Sequence, residues 1–518
     1  MYKGRIIGKS VTEICFRSYY TEDLFLGDIL VAEDLERNLR FLLRVVDVKY
    51  GVEASDPEWT SRTAGNMMLM DAHNQPFELY DKDRRLFKQG QCTPLGYVKD
   101  KKFHKPKTIP AHFSCIITPT PEDFQFLKEY MGDVVIGKLR SGEDTLDFEV
   151  GIKGELFPYH VGIFATTGMG KSNLMKVLAG AVVENGNYAL LLIDPHGEYY
   201  DGGGKAGSKG LKDLPQATER LKIYSSRNLS GPHNTLKLSF TEITLADLAQ
   251  IYTFSEPQYE AASAAEYRFG KDWLKAIASN EVADLVEMLP GRFFEATLTV
   301  IKRRAESILR LSSVHGDPKV SVTSSILQDL KGGKIVLVDA SNMISKEELL
   351  ISSVLCRALF EHNKTAYRDS KKFAKVLPTL IVIEEAQRVL GKDNIPASSV
   401  FAQIAREGRK FKTGLCAVTQ QPKLIDEELL SQFNTLFILG LADEKDRSIL
   451  RNSAKQDISH LGNEIQTLMA GEALISSPET PFAIPARIYL FEEWLKTRKH
   501  RATAKEKELS IPVDKGFF

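Results

Sequence analysis

The stretch FATTGMGKSN, residues 164–173, decides the fold. Set against the pattern G-x-x-x-x-G-K-[ST], it reads Ala165-Thr166-Thr167-Gly168-Met169-Gly170-Lys171-Ser172, with alanine in the first position. The apolar run HVGIF precedes it and LMKVLAGAVV follows, so a strand leads through a glycine-bearing turn into a helix. Loop amides and a helix N-terminus then converge on phosphate oxygens. Lys171 would neutralise the β and γ phosphates of a nucleotide, and the Ser172 hydroxyl would ligate magnesium. Alanine is tolerable first because Gly168 and Gly170 still allow close backbone approach. The nucleotide-binding candidates are therefore Thr166, Thr167, Gly168, Met169, Gly170, Lys171, Ser172 and Asn173. The bland reading of the same residues is a strand-to-helix turn that binds nothing.

Outward from this loop, strand-like runs alternate with helical ones: YALLLIDP, GKIVLVDAS, TLIVIEEA, TGLCAVTQQ and TLFILGLAD. Such alternation predicts a mainly parallel sheet covered on both faces. Residues 241–320 carry helical periodicity without strand signals, as in ATLTVIKRRAESILRL, and read as a helical insertion between core parts 131–240 and 321–491. Residues 1–100 show short β-branched runs, GRIIG, VTEICF, DILVAE and FLLRVVDVKYG, that favour a small barrel or sandwich. The Lys- and Pro-rich KDKKFHKPKTIPAH reads as a linker, taken as 101–130. Residues 492–518 form a tail of mixed charge ending in Phe517 and Phe518, either frayed or pinned on a neighbour.

Three further motifs carry chemistry. In LPTLIVIEEAQRV an apolar run meets Glu384 and Glu385 where ligands bind in parallel sheets. The first carboxylate can hold a magnesium shell, and the second can orient or deprotonate water. Acidic residues at an ordinary helix N-terminus would look the same. A second strand ends in Asp194-Pro195-His196-Gly197-Glu198-Tyr199, where turn chemistry explains Pro195 and Gly197 but less easily Asp194 and Glu198; Asp194, His196 and Glu198 are further site candidates. In FAQIAREGRKFKTGLCAVTQQP, Arg406, Arg409 and Lys410 sit at a basic helix end. The helix dipole alone would explain them, yet an arginine reaching a neighbour's γ-phosphate, with a strand-end glutamine as sensor, would place the same residues there.

Composition narrows the classes. Lys+Arg and Asp+Glu both number 68, which removes a global basic footprint but leaves room for a basic channel. No apolar run approaches the roughly 18 residues of a membrane span, and the N-terminus lacks a signal-peptide core, so a cytoplasmic protein is expected. Five scattered cysteines form no CxxC pair and read as reduced, mostly buried thiols.

Together, the phosphate loop, IDPHGEY, VIEEAQ and IAREGRKFKTGL followed by TQQP resemble the HerA–FtsK superfamily of P-loop DNA translocases, most closely its HerA-type ATPases, over nearly the whole chain. The resemblance implies an α/β fold: a RecA-like P-loop NTPase core with a helical insertion and a small N-terminal β-barrel of the HAS-like kind. It implies ATP and Mg2+ as cofactors, duplex DNA as the thing moved, and a homohexameric ring. A partner is implied too, either a NurA-like nuclease in DNA-end processing or a Sir2-like or other effector in antiphage defence. Carried over by motif, Glu384 supports the metal, directly or through water, and Glu385 is the catalytic carboxylate. Arg409 is the first choice for the trans-acting finger, Arg406 the second, and Gln420 the sensor. The chain departs from the family in Glu384-Glu385-Ala386-Gln387, where Asp-Glu-Ala-His is commoner, in Tyr159-His160 for Arg-His, and in Gln421 for Arg. A ring whose nucleotide only controls assembly with an effector is the alternative. A membrane-anchored secretion ATPase is disfavoured, since no N-terminal span is present.

Overall fold

The strand that feeds the phosphate loop, Val161–Phe164, is buried at every residue because it lies inside a twelve-stranded sheet. The computed structural model, which describes residues 1–74, 79–204, 207–392 and 399–498, sets Thr413–Thr419 on one side of it and Thr435–Ile438 on the other, both parallel. Beyond Thr413–Thr419 the parallel part continues through Thr379–Ile383, Ala189–Asp194, Ile335–Asp339 and Leu221–Ser225 to the short edge Asn234–Thr235. On the other flank Glu472–Ser476, Ile484–Ile488, Val134–Ser141 and Asp144–Ile152 pair antiparallel.

Both faces of the inner parallel strands are covered, which is why those strands read as unbroken apolar runs. Leu191 and Ile193 point into one layer with Val336, Val338 and Ile381, against the helix Ser345–Ala366. Leu190 and Leu192 point into the other with Leu337, Leu380 and Val382, against Leu174, Val177 and Leu178 of the helix Lys171–Asn185. Five helices, from Leu245–Ala249 to Glu295–Leu309, form the helical excursion. Trp273, Leu274, Leu298 and Ile301 are buried there, and the two-residue strands Leu238–Ser239 and Val314–His315 close its base.

The N-terminal barrel closes through six antiparallel strands in the order Ile14–Tyr19, Tyr2–Lys9, Cys115–Ile117, Ile29–Asp34, Leu39–Val52 and Leu86–Lys99, the last returning to the first. Alternation along the strands divides labour: Leu30, Ala32, Phe41 and Leu43 fill the barrel, while Ile29, Val31 and Leu42 pack on the layer that holds the phosphate-loop helix.

Two expectations need correction. Residues 101–130 are not a plain linker, for Lys102–His104 pairs with the preceding strand, Cys115–Ile117 closes the barrel, and Phe124 and Leu127 are buried in the 3-10 turn Pro121–Glu129. A three-residue strand carries too little periodicity to show in sequence, and its place is set by the barrel's need for closure. The first hundred residues are also not all strand. The two longest strands are joined through the helix Trp59–Ala72, none of whose residues is buried. The tail beyond 498 lies outside the described residues. The expected fold class otherwise stands: α/β, a P-loop core with a helical insertion behind a closed barrel. All five cysteines are free, four of them buried. Among the described residues, no helix is long and apolar enough to cross a membrane.

Candidate active site

The parallel strands all end at one edge of the sheet: Phe164 lies level with Thr419 and Ile438, and Ile193 with Ile383. The loop that leaves Phe164 is held by its neighbours largely through main chain. Ala165 N–H donates to Thr419 O (3.3 Å), Thr166 N–H to Gly440 O (3.0 Å) and Gly471 N–H to Met169 O (3.2 Å). Positive φ is needed only at Gly168 (83°) and Gly170 (103°). Ala165 is buried and outside the left-handed region, so its methyl group is accommodated without strain.

Lys171 Nζ donates to Ala165 O (3.0 Å) and reaches Thr166 O (3.5 Å). Burial pulls its ammonium below the ordinary lysine range, and the carboxylates of Glu384, Glu385 and Glu198 oppose that pull. Ser172 Oγ donates to Glu198 Oε2 (2.6 Å). One lysine thus faces three carboxylates, and the donor set beside Ser172 is entirely oxygen. That is what a hard divalent cation such as Mg2+ takes.

Glu384 and Glu385 follow the strand Thr379–Ile383 and differ in their surroundings. Glu384 accepts a hydrogen bond from the buried Tyr199 hydroxyl. Burial raises its carboxyl to about 7, while Tyr199, His196 and Lys171 favour the ionised form. Glu385 takes a left-handed backbone, φ 49°, uncommon for a residue with a Cβ. Gln387 Nε2 donates to Glu385 Oε2 (2.5 Å), and Thr419 Oγ1 donates to Gln387 Oε1 (2.5 Å). Gln387 therefore ties the carboxylate to the adjoining strand. Gln420, next on that strand, accepts from the Thr167 hydroxyl of the phosphate loop.

Asp194, the first residue of DPHGEY, is buried and spent on its own turn, accepting the N–H groups of His196 (3.1 Å), Gly197 (2.7 Å), Glu198 (3.3 Å) and Tyr199 (3.0 Å). The turn delivers Glu198 to Ser172 and Tyr199 to Glu384 and leaves His196 exposed at the rim. The sequence reading missed Tyr199 and Gln387, whose roles rest on partners distant in the chain or on an adjoining strand.

The two arginines lie elsewhere. Arg406 pairs with Glu428 (3.1 Å), and the Arg409 guanidinium lies 4.1 Å from the Tyr159 ring centroid. Both precede Thr413–Thr419 and Tyr159 precedes Val161–Phe164, so they sit at the opposite edge of the sheet from the phosphate loop. A seven-residue strand spans about 20 Å at ~3.3 Å per residue, which puts the phosphate loop of the same subunit out of their reach. His160, beside Tyr159, is buried with φ 65°, and its Nδ1 accepts Leu415 N–H (2.9 Å). Burial lowers its pKa to about 4 and keeps it neutral, a fastener between strands.

The chain is similar to several known proteins. Residues 134–359 match the family model described as "Helicase HerA, central domain". The DNA double-strand break repair helicase HerA of Sulfolobus acidocaldarius is 30% identical over 397 residues, 73% of each chain. Its namesake in Saccharolobus solfataricus is 27% identical over 410 residues, 74% of this chain and 76% of that protein. Among solved structures, VirB4 of Thermoanaerobacter pseudethanolicus aligns with a TM-score of 0.45 and 15% identity, covering 69% of this chain and 96% of that one.

Proposed function

Because the chain belongs to the HerA helicase family and is an ATP-hydrolysing enzyme of HerA type, we propose that it is a ring-forming motor that couples ATP hydrolysis to movement along duplex DNA. The observation that carries the proposal is that the candidate site residues lie at two edges of the sheet. Lys171, Ser172, Glu384 and Glu385 converge at one edge, and Arg409 stands at the other. A subunit arranged this way completes its site with the neighbour's Arg409, and a closed ring of six supplies a neighbour to each.

Each group then has its task. The loop amides and Lys171 bind the phosphates, and Ser172 with Glu384 holds Mg2+, which supplies charge neutralisation. Glu385, aimed by its left-handed backbone and by Gln387, orients and deprotonates the attacking water. Gln420, bonded to Thr167, relays the state of the loop into the strand Thr413–Thr419. Arg409 stabilises the charge that builds on the transferred phosphoryl group. The relatives are named for double-strand break repair. We place this chain with a separate effector as well, a nuclease in DNA-end processing or a defence effector, with the barrel as the docking element.

ATP turnover measured with and without duplex DNA tests the reading. Hydrolysis is expected to rise when DNA is added. Glu385→Gln should lower turnover about 10²- to 10⁴-fold while nucleotide still binds, and Lys171→Ala should lose binding. Unchanged turnover in Glu385→Gln would remove Glu385 from the site.

A further inference from the structure

Arg227, on the loop that follows the strand Leu221–Ser225, stands behind the DPHGEY turn and belongs to none of the motifs. Three parallel strands end side by side there, with Asp339 level with Asp194 on one side and with Ser225 on the other. Asp339 is buried and engaged on both oxygens. Its Oδ2 accepts from Ser225 Oγ (2.7 Å) and Arg227 Nε (2.6 Å), and its Oδ1 accepts from the Ser341 hydroxyl (2.7 Å). Burial resists ionisation, but these donors together hold the carboxyl below the usual carboxylate range, so the guanidinium faces a charged partner. Arg227 N–H also donates to Ser225 Oγ (3.0 Å), which fixes the start of the side chain as the bond from Nε fixes its end.

The far nitrogen of the fork has no such bond. Arg227 Nη2 is buried and finds no acceptor among the described residues, a state that costs about 1–3 kcal/mol, more for a charged donor, and calls for a reason. It lies against Gly197: a Cβ there would come to 2.7 Å from Nη2 and to 3.2 Å from Ser341 Oγ. Gly197 sits inside the turn with φ 69°, and the next residue, Glu198, accepts the Ser172 hydroxyl. Asp194 O accepts Ala340 N–H (2.9 Å), so the strand that carries Asp339 holds the base of the turn while Arg227 backs it at Gly197. We propose that Arg227 is a positioning residue for the magnesium side of the site: its planar fork, locked on Asp339, backs Gly197 and so sets Glu198 where it orients the Ser172 hydroxyl. Lysine would keep a charge beside Asp339 but has no second nitrogen to reach Gly197. This assignment rests on the ATPase reading above and adds to it a residue from outside the phosphate-binding motifs.

The test measures by calorimetry how tightly the full-length protein binds a non-hydrolysable ATP analogue with Mg2+ and again in EDTA, which reads the strengthening due to the metal without turnover. Arg227→Lys, Glu198→Gln and the double variant are compared with wild type. Arg227→Lys should lose about ten-fold of the strengthening, as disturbed support of a metal ligand does, with its EDTA affinity and Tm close to wild type. Glu198→Gln should lose strengthening as well, and adding Arg227→Lys to it should cost nothing further, since both act through one hydroxyl. Full strengthening in Arg227→Lys, or an equal loss in EDTA, would make Arg227 a support for Asp339 alone and overturn the proposal, whatever the Tm. Additive losses in the double variant would also overturn it, by showing that Arg227 does not act through Glu198. Wild type that bound the analogue no more tightly with Mg2+ than in EDTA would overturn the metal site itself and this role with it.

Discussion

Glu384 is the residue whose behaviour the structure constrains most tightly. Burial lifts its carboxyl to about 7, and the Tyr199 hydroxyl is one of the groups that oppose the lift. A carboxylate is needed to hold a divalent cation, so ATP turnover should climb as pH rises through about 7 and then level off. Tyr199→Phe removes a donor that favours the ionised form, so the acid limb of kcat should move to higher pH by about one to two units, the worth of a hydrogen bond to a charged group. Glu384→Gln should lose the limb altogether. A pH–rate profile of Tyr199→Phe that superimposes on wild type would show that Tyr199 does not act through Glu384. At this scale the sequence disclosed the groups that bear charge and hid those that aim them. Lys171, Ser172, Glu384 and Glu385 stand in short motifs, whereas Tyr199 and Glu384 are 185 positions apart and meet only because two parallel strands end at the same edge. Gln387 looked like a departure from a family pattern; its bonds to Glu385 and Thr419 give that departure a structural role.

The strand Thr413–Thr419 is the element that gives the molecule its two-sided design. Arg406 and Arg409 lie before it and Gln420 lies after it, so one element runs from the arginine-bearing edge of the sheet, proposed to meet a neighbour, to the phosphate loop. Arg409→Ala should therefore be inactive in a ring of identical subunits yet complement a second inactive variant. Co-expressed with Glu385→Gln under separate affinity tags, it should regain turnover, because about a quarter of randomly formed interfaces pair an intact Glu385 with an intact Arg409. Mixed rings as silent as either parent would show that Arg409 does not act across the interface. Elements with strong periodicity were legible from the chain: six of the eight parallel strands, the phosphate-loop helix and the helical excursion follow apolar runs, whereas Leu221–Ser225 and the exposed edge Asn234–Thr235 do not. Cys115–Ile117 was not, because three residues show no period and its partners lie 80 or more positions away. The helix Trp59–Ala72 was missed for the converse reason. It buries no residue, so no apolar stripe marks it.

The whole molecule is held together across its two domains by a buried charge cluster that no motif announces. Arg44 of the barrel pairs with Glu464 (2.9 Å), which also pairs with Arg140 (2.5 Å), and Arg44 further donates to Ala483 O (2.9 Å). Removing the shared carboxylate strands two buried cations, so Glu464→Leu should cost about 3–5 kcal/mol of stability, read as a lowered Tm. Replacing all three groups by apolar residues of similar size should recover most of that loss; a Glu464→Leu melt equal to wild type would mean the cluster bears no load. Glu464 sits on the helix Gly462–Thr467, a few residues before Gly471 reaches the phosphate loop, so the barrel and the nucleotide site share a short stretch of chain. Displacement of streptavidin from the biotinylated end of a duplex reads whether hydrolysis by this protein moves it along duplex DNA. Wild type, with the proposed effector present, should displace streptavidin only when ATP is supplied, and Glu385→Gln should not displace it; a wild-type protein that hydrolyses ATP on the same duplex yet leaves streptavidin in place would show that turnover does not drive movement along DNA.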